Sequence, residues 1–147
     1  MSDDGLSIAD AGPMIVASVA LGGCSPQRAL AAFTDPAVLA RWWRGELAAD
    51  LVAGGRYVVS FPAIGAALTG EVRQYDPAAL LEFSWSWDDA PPDSTVTVRA
   101  SAGQAGGAVL TIEHGPHADD EAGRAAHQEH WDGWQFFLPR LPDAAAG

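Results

Sequence analysis

The chain has 147 residues, 48% of them apolar and 18% charged, enough for one domain with its own core and unlike the composition of a disordered segment. Eight basic against 19 acidic residues leave a net charge of −11, which argues against nucleic acid or an anionic membrane surface as a partner, because both need clustered Lys and Arg. The single cysteine, Cys24, excludes an intramolecular disulfide and a multi-cysteine metal site.

The first residues, Met-Ser-Asp-Asp-Gly, are acidic and lack the basic region and apolar run of a signal peptide. No apolar run approaches the roughly 20 residues that cross a bilayer, so a cytoplasmic protein is expected. Residues 1–13 are small, polar and closed by Gly12-Pro13, and read as a frayed tail. A first strand is predicted from Met14 to Leu21, ended by Gly22-Gly23. Ser25-Pro26 and Asp35-Pro36 each combine an N-cap oxygen with a proline at the first helical position, so two short helices follow, the second carrying Trp42 and Trp43.

After Gly45 the pattern alternates. Strands are predicted near residues 46–52, from Arg56 to Phe61 and from Leu68 to Tyr75, with Gly54-Gly55 a turn. In the next strand Leu81, Phe83, Trp85 and Trp87 alternate with Glu82, Ser84 and Ser86, giving one buried and one wet face. Asp88 to Asp93, with Pro91-Pro92, reads as a loop. Strands from Thr95 to Ser101 and from Ala108 to His114 complete a set of about six or seven. Glu71, Arg73 and Glu82 read as cross-strand charge pairs on the outer face.

A last helix is predicted from Asp120 to Leu141, with His127, Trp131, Trp134, Leu138 and Leu141 in one stripe and Pro139 ending or kinking it near Leu138. Two short helices after the first strand, an antiparallel sheet and one long helix make an α+β layout. An aromatic sheet face and a matching helix stripe would bury each other. Residues 14–142 form the single domain and 143–147 a tail.

Ser25-Pro26, Phe33-Thr34-Asp35-Pro36 and Leu39-Ala40-Arg41-Trp42-Trp43 resemble the opening of START-like (SRPBCC) domains, in the branch related to the activator of the heat-shock-protein ATPase. Gly54-Gly55-Arg56-Tyr57, Gly70-Glu71-Val72, Phe83-Ser84-Trp85, Leu110-Thr111-Ile112-Glu113-His114 and Gly133-Trp134 extend the likeness in the same order. The resemblance implies a helix-grip fold: the C-terminal helix lies across the concave face of a curved sheet and leaves a cavity for apolar ligands.

Within that frame Trp42, Trp43, Phe61, Phe83, Trp85, Trp87, Trp131 and Trp134 are either a tryptophan-rich core or the wall of an aromatic pocket. The pocket residues expected are Trp43, Phe61, Leu68, Phe83, Trp85, Val98, Ile112, His114, Trp131, Trp134 and Leu138. The function expected is binding of a small apolar or aromatic ligand. The alternatives are a protein-interaction module, co-chaperone-like or homodimerising, and a cyclase- or hydrolase-type enzyme using the same cavity.

No nucleophile elbow, Cys-His signature or phosphate loop is present, so no catalytic residue is named. The histidines stand as two pairs, His114/His117 and His127/His130. His127 and His130 lack the i, i+4 spacing of a helical metal motif, so neither a metal nor a cofactor is expected. His114 and His127 are assigned to the pocket mouth and His117 and His130 to solvent.

Overall fold

The computed structural model describes residues 5–88, 90 and 93–146. Met1 to Asp4 of the expected tail, Asp89, Pro91 and Pro92 of the expected loop, and Gly147 lie outside the described residues. Eight strands form one antiparallel sheet: β1 (Leu6–Ala11), β2 (Met14–Leu21), β3 (Glu46–Ala49), β4 (Arg56–Phe61), β5 (Ala66–Asp76), β6 (Leu80–Trp87), β7 (Ser94–Ala102) and β8 (Ala108–Gly115). Their order is β1-β2-β8-β7-β6-β5-β4-β3. Helices α1 (Pro26–Thr34) and α2 (Pro36–Trp43) carry the chain from β2, near one edge, to β3 at the other.

Local chemistry sets these helices. Ser25 Oγ accepts from Arg28 N–H at 3.2 Å to start α1, and Asp35 Oδ1 accepts from Ala37 N–H at 2.9 Å to start α2. Arg44 closes α2 in the left-handed region at φ 58°. The inner faces meet over the sheet. Trp42 donates its indole N–H to Ala32 O at 2.7 Å, and Tyr57 donates its hydroxyl to Phe33 O at 2.6 Å.

β1 corrects the expectation of a frayed tail. Leu6–Ala11 pairs in register with β2, from Leu6 opposite Val19 to Ala11 opposite Met14, and Leu6 and Ile8 pack on the core. The alternation of Leu6 and Ile8 is short, which hides the strand in a polar segment. β6 also departs in part from the simple two-faced reading, because Ser84 and Ser86 are buried. Ser86 donates to Thr69 O at 2.7 Å and Ser84 Oγ accepts from Glu71 N–H at 2.9 Å, so these hydroxyls are satisfied against β5. Arg73 pairs with Glu71 of its own strand at 3.7 Å, and Glu82 accepts from Gln74 across β5–β6 at 2.7 Å.

The predicted final helix is three elements. α3 (Glu121–Phe137) ends where Pro139 removes a donor, a 3-10 turn spans Leu138–Arg140, and α4 (Leu141–Ala146) follows. Residues 143–146, expected as tail, belong to α4. Leu141, Ala144 and Ala145 are buried, and Arg41 and Arg28 donate to Ala144 O and Ala145 O at 3.2 and 3.3 Å. Asp120 caps α3 by accepting from Gly123 N–H at 2.7 Å. Gly123 is required for close approach, since a Cβ there would lie 2.0 Å from Ala118 O.

No helix of the described residues is long and apolar enough to cross a membrane.

Candidate functional site

The face that α3 turns inward is set by Gly123, His130 and Trp134, with Leu138 beyond them. His127 and Trp131 flank this line half-buried. The stripe is therefore rotated from the expected one, and His130, assigned to solvent, is 4% exposed. His117, also assigned to solvent, is 6% exposed.

Between this face and the ends of β4 and β6 lies a cleft of about 330 Å³. Trp43, Phe61, Trp85, Trp87, Trp134 and Phe137 form its aromatic wall; Ala63 and Gly133 are its small residues, and Arg44, Ile64, Glu129, His130 and Phe136 complete it. Trp43 is the hub, 5.5 Å from Trp134, 5.9 Å from Phe61 and 6.0 Å from Trp85 between ring centroids, and stacked on Trp42 at 4.8 Å.

Of the residues expected from sequence, Trp43, Phe61, Trp85 and Trp134 line this cleft. Leu68, Phe83, Val98, Ile112 and Leu138 do not; each is sealed in the core beneath it. Trp131 sits at the edge of the core, away from the cleft. His114 is fully buried behind the wall, not at a mouth. Alternation places a residue on the inner face of a strand but not at a depth along it, so core and lining positions look alike in sequence. Apart from Trp134, the residues of α3 and of the β4–β5 turn that line the cleft lay outside the expected helix stripe and strand alternation.

Behind Trp134 the four histidines cluster: hydrogen bonds join His117 to His130 and to His127, and the His114 ring stacks on His130. The indole N–H of Trp134 donates to His114 Nδ1 at 2.9 Å, so His114 carries its proton on Nε2 and donates to Ser94 Oγ at 2.8 Å. Ser94 in turn donates to Asp93 at 2.5 Å. His117 Nδ1–H faces Pro13 O at 3.0 Å, which leaves Nε2 to accept from His130 Nδ1–H at 2.9 Å. His127 Nδ1 lies 3.1 Å from His117 Nδ1, and its Nε2–H donates to Asp10 at 3.1 Å.

Burial, and then the neighbouring imidazoles, hold His114 well below the ordinary histidine range and push His130 down to about 3. Burial lowers His117 too, against the opposing pull of the Pro13 carbonyl. Three buried side-chain nitrogens among the described residues have no partner: Trp85 Nε1, Trp87 Nε1 and His130 Nε2. All three belong to residues of the cleft wall.

Residues 24–146 match the family described as Activator of Hsp90 ATPase homolog 1-like protein. The chain belongs to this family. β1 and β2 precede the matched span, which opens at the α1 cap and closes in α4. A comparison with curated proteins found no match.

Among solved structures, DynU16, of the dynemicin biosynthetic locus, is 24% identical with a TM-score of 0.73 over 90% of this chain and 47% of its own. The chain thus spans about half the length of DynU16. CalU16 from Micromonospora echinospora is 23% identical with a TM-score of 0.69, covering 93% of this chain and 79% of that one. MLL2253 from Mesorhizobium loti is 22% identical with a TM-score of 0.74, covering 89% and 95%. At these identities the likeness is one of fold, and it is the START-like helix-grip fold. Membership of the Activator of Hsp90 ATPase homolog 1-like family is consistent with ligand binding in a cavity or with protein interaction, and the matches name no ligand for this chain.

Proposed function

We propose that this chain binds a small apolar or aromatic molecule in the cleft between α3 and the sheet. The observation that carries the reading is the pair of unpartnered indole N–H groups, Trp85 Nε1 and Trp87 Nε1, in the wall of an aromatic cleft of about 330 Å³. A buried donor without an acceptor costs about 1–3 kcal/mol, and two at one site fit a ligand that supplies the acceptor. Flat rings give such a ligand stacking area from Trp43 and Trp134, and a carbonyl or ether oxygen answers the indoles.

The test is quenching of tryptophan emission by a panel of aromatic ketones, phenols and fatty acids. Saturable quenching by a ring bearing an acceptor oxygen is expected. Trp85→Phe weakens it about 3- to 10-fold, the worth of one neutral hydrogen bond, and Trp43→Ala removes it. A panel without a single saturable response would sink the reading.

A second reading has its own observation. Ile64 and Phe136, on the rim of the same cleft, are 67% and 53% exposed, and Arg140 lies over the Phe136 ring at 4.3 Å. An apolar rim of this kind serves a protein-interaction module, in the form of a homodimer or a chaperone contact. Sedimentation showing a dimer that Phe136→Asp dissolves would favour it.

A further inference from the structure

All four histidines of the chain, two His-x-x-His pairs in sequence, meet where the end of β8, the segment after it and the middle of α3 come together. The innermost three, His114, His117 and His130, are between 0% and 6% exposed. One ring nitrogen from each lies within 4.8 Å of the other two. The His114 and His130 rings stack at 4.3 Å, and His130 keeps a buried nitrogen with no partner. A core gains nothing from three converging imidazoles that an apolar side chain would not supply with less desolvation.

We propose that His114, His117 and His130 are a binding site for a divalent transition-metal ion of the zinc class. Imidazole nitrogens suit zinc, copper and nickel, and the absence of a carboxylate or thiolate among these three disfavours magnesium, calcium and thiophilic ions. Three ligands leave a further coordination position for water or a bound molecule.

Two of the three rings already have the outer support that metal-binding histidines use. The Pro13 carbonyl takes the Nδ1 proton of His117 at 3.0 Å and leaves Nε2 to coordinate. Ser94, backed by Asp93, takes the Nε2 proton of His114 and leaves Nδ1. Gly115 lets the strand end approach Pro13, since a Cβ there would lie 2.6 Å from Pro13 O. Ion binding exchanges two hydrogen bonds for coordination: His130 to His117, and Trp134 to His114. The second exchange frees the indole N–H of Trp134, which makes tryptophan emission a direct readout.

The experiment is calorimetric titration of the full chain, stripped with chelator, with Zn²⁺, and with Co²⁺ for its visible d–d absorption. One ion per chain is expected, with a shift in tryptophan emission and a raised melting temperature. His117→Gln and His130→Gln each lose stoichiometric binding, Ser94→Ala weakens it about tenfold, and His127→Gln retains it. Circular dichroism establishes that each variant folds. Independently of any variant, ¹⁵N NMR of the wild-type imidazoles is expected to show ring nitrogens of His114, His117 and His130 shifting on Zn²⁺ addition. Two results overturn the site: no equivalent of Zn²⁺, Co²⁺ or Cu²⁺ bound, or binding lost in His127→Gln with the His114 and His130 signals unmoved. The titration uses no organic molecule, so its failure leaves the ligand reading of the cleft standing.

Discussion

Trp134 joins the two parts of the site, since its ring faces the cleft and its N–H ends on the buried His114 Nδ1 at 2.9 Å. Trp134→Phe keeps the ring and removes the donor. Leaving that acceptor unpaired is expected to lower stability by about 1–3 kcal/mol in urea unfolding; an unchanged midpoint would show that the bond is not needed. Acid acts on the same histidines. Their ordinary value is 6.5, and His114 and His130 are held below it in the fold. Between pH 6.5 and the lowered folded values, the unfolded chain binds protons that the folded chain does not, so stability falls as pH falls. With His130 at about 3, that ring contributes a loss of about 2 kcal/mol by pH 5, and His114 adds to it in the same direction. Unfolding curves of metal-free protein at pH 7 and pH 5 measure it, and coincident curves would mean that both rings protonate in the folded state.

At the scale of elements, α3 presents His130 and Trp134 because its start is held in place. The Asp120 cap and the contact of Gly123 with Ala118 fix the helix register against the sheet. Asp120→Ala is expected to remove about 1 kcal/mol, a drop of roughly 3 °C in melting temperature. Gly123→Ala, whose Cβ would lie 2.0 Å from Ala118 O, is expected to remove more, about 1–3 kcal/mol. A thermal melt of both variants tests the order, and equal melting temperatures would mean that the start of α3 adjusts without strain. Pro139 matters for the same reason. By ending α3 at Phe137 it allows α4 to turn and place its last carbonyls on Arg28 and Arg41.

At the scale of the molecule, α4 is part of the core although residues 143–146 of it read as a tail. Leu141 is as completely buried as Leu81 in the middle of the sheet. Leu141→Ala is expected to cost about 2–5 kcal/mol, the range for a fully buried leucine. A loss below 1 kcal/mol in denaturant unfolding would show that the C-terminal turn frays independently. The cleft is a property of this scale too, assembled from the end of α2, the β4–β5 turn, β6 and α3.

Local chemistry made much of the fold legible in advance. Ser25-Pro26 and Asp35-Pro36 announced α1 and α2 because an N-cap oxygen and a proline at the first helical position both favour a helix start, and apolar residues at helical spacing follow each. Leu81, Phe83, Trp85 and Trp87 announced β6 through strict alternation. The ordered motifs from Ser25 to Trp134 carried the family as well. Tertiary structure alone decided which inner-face residues face empty space: Trp85 lines the cleft, whereas Phe83, two positions earlier on the same face, is sealed beneath it. It alone placed His130 inward, because a helix stripe of Trp and His can rotate by one residue until the surface it meets is known. And it alone brought His114 and His117 to His130, since they lie 13 or more positions from it in the chain and neither helix nor strand periodicity spans that distance. Convergence of distant imidazoles depends on how β8 and α3 pack, and packing is what a linear pattern does not contain.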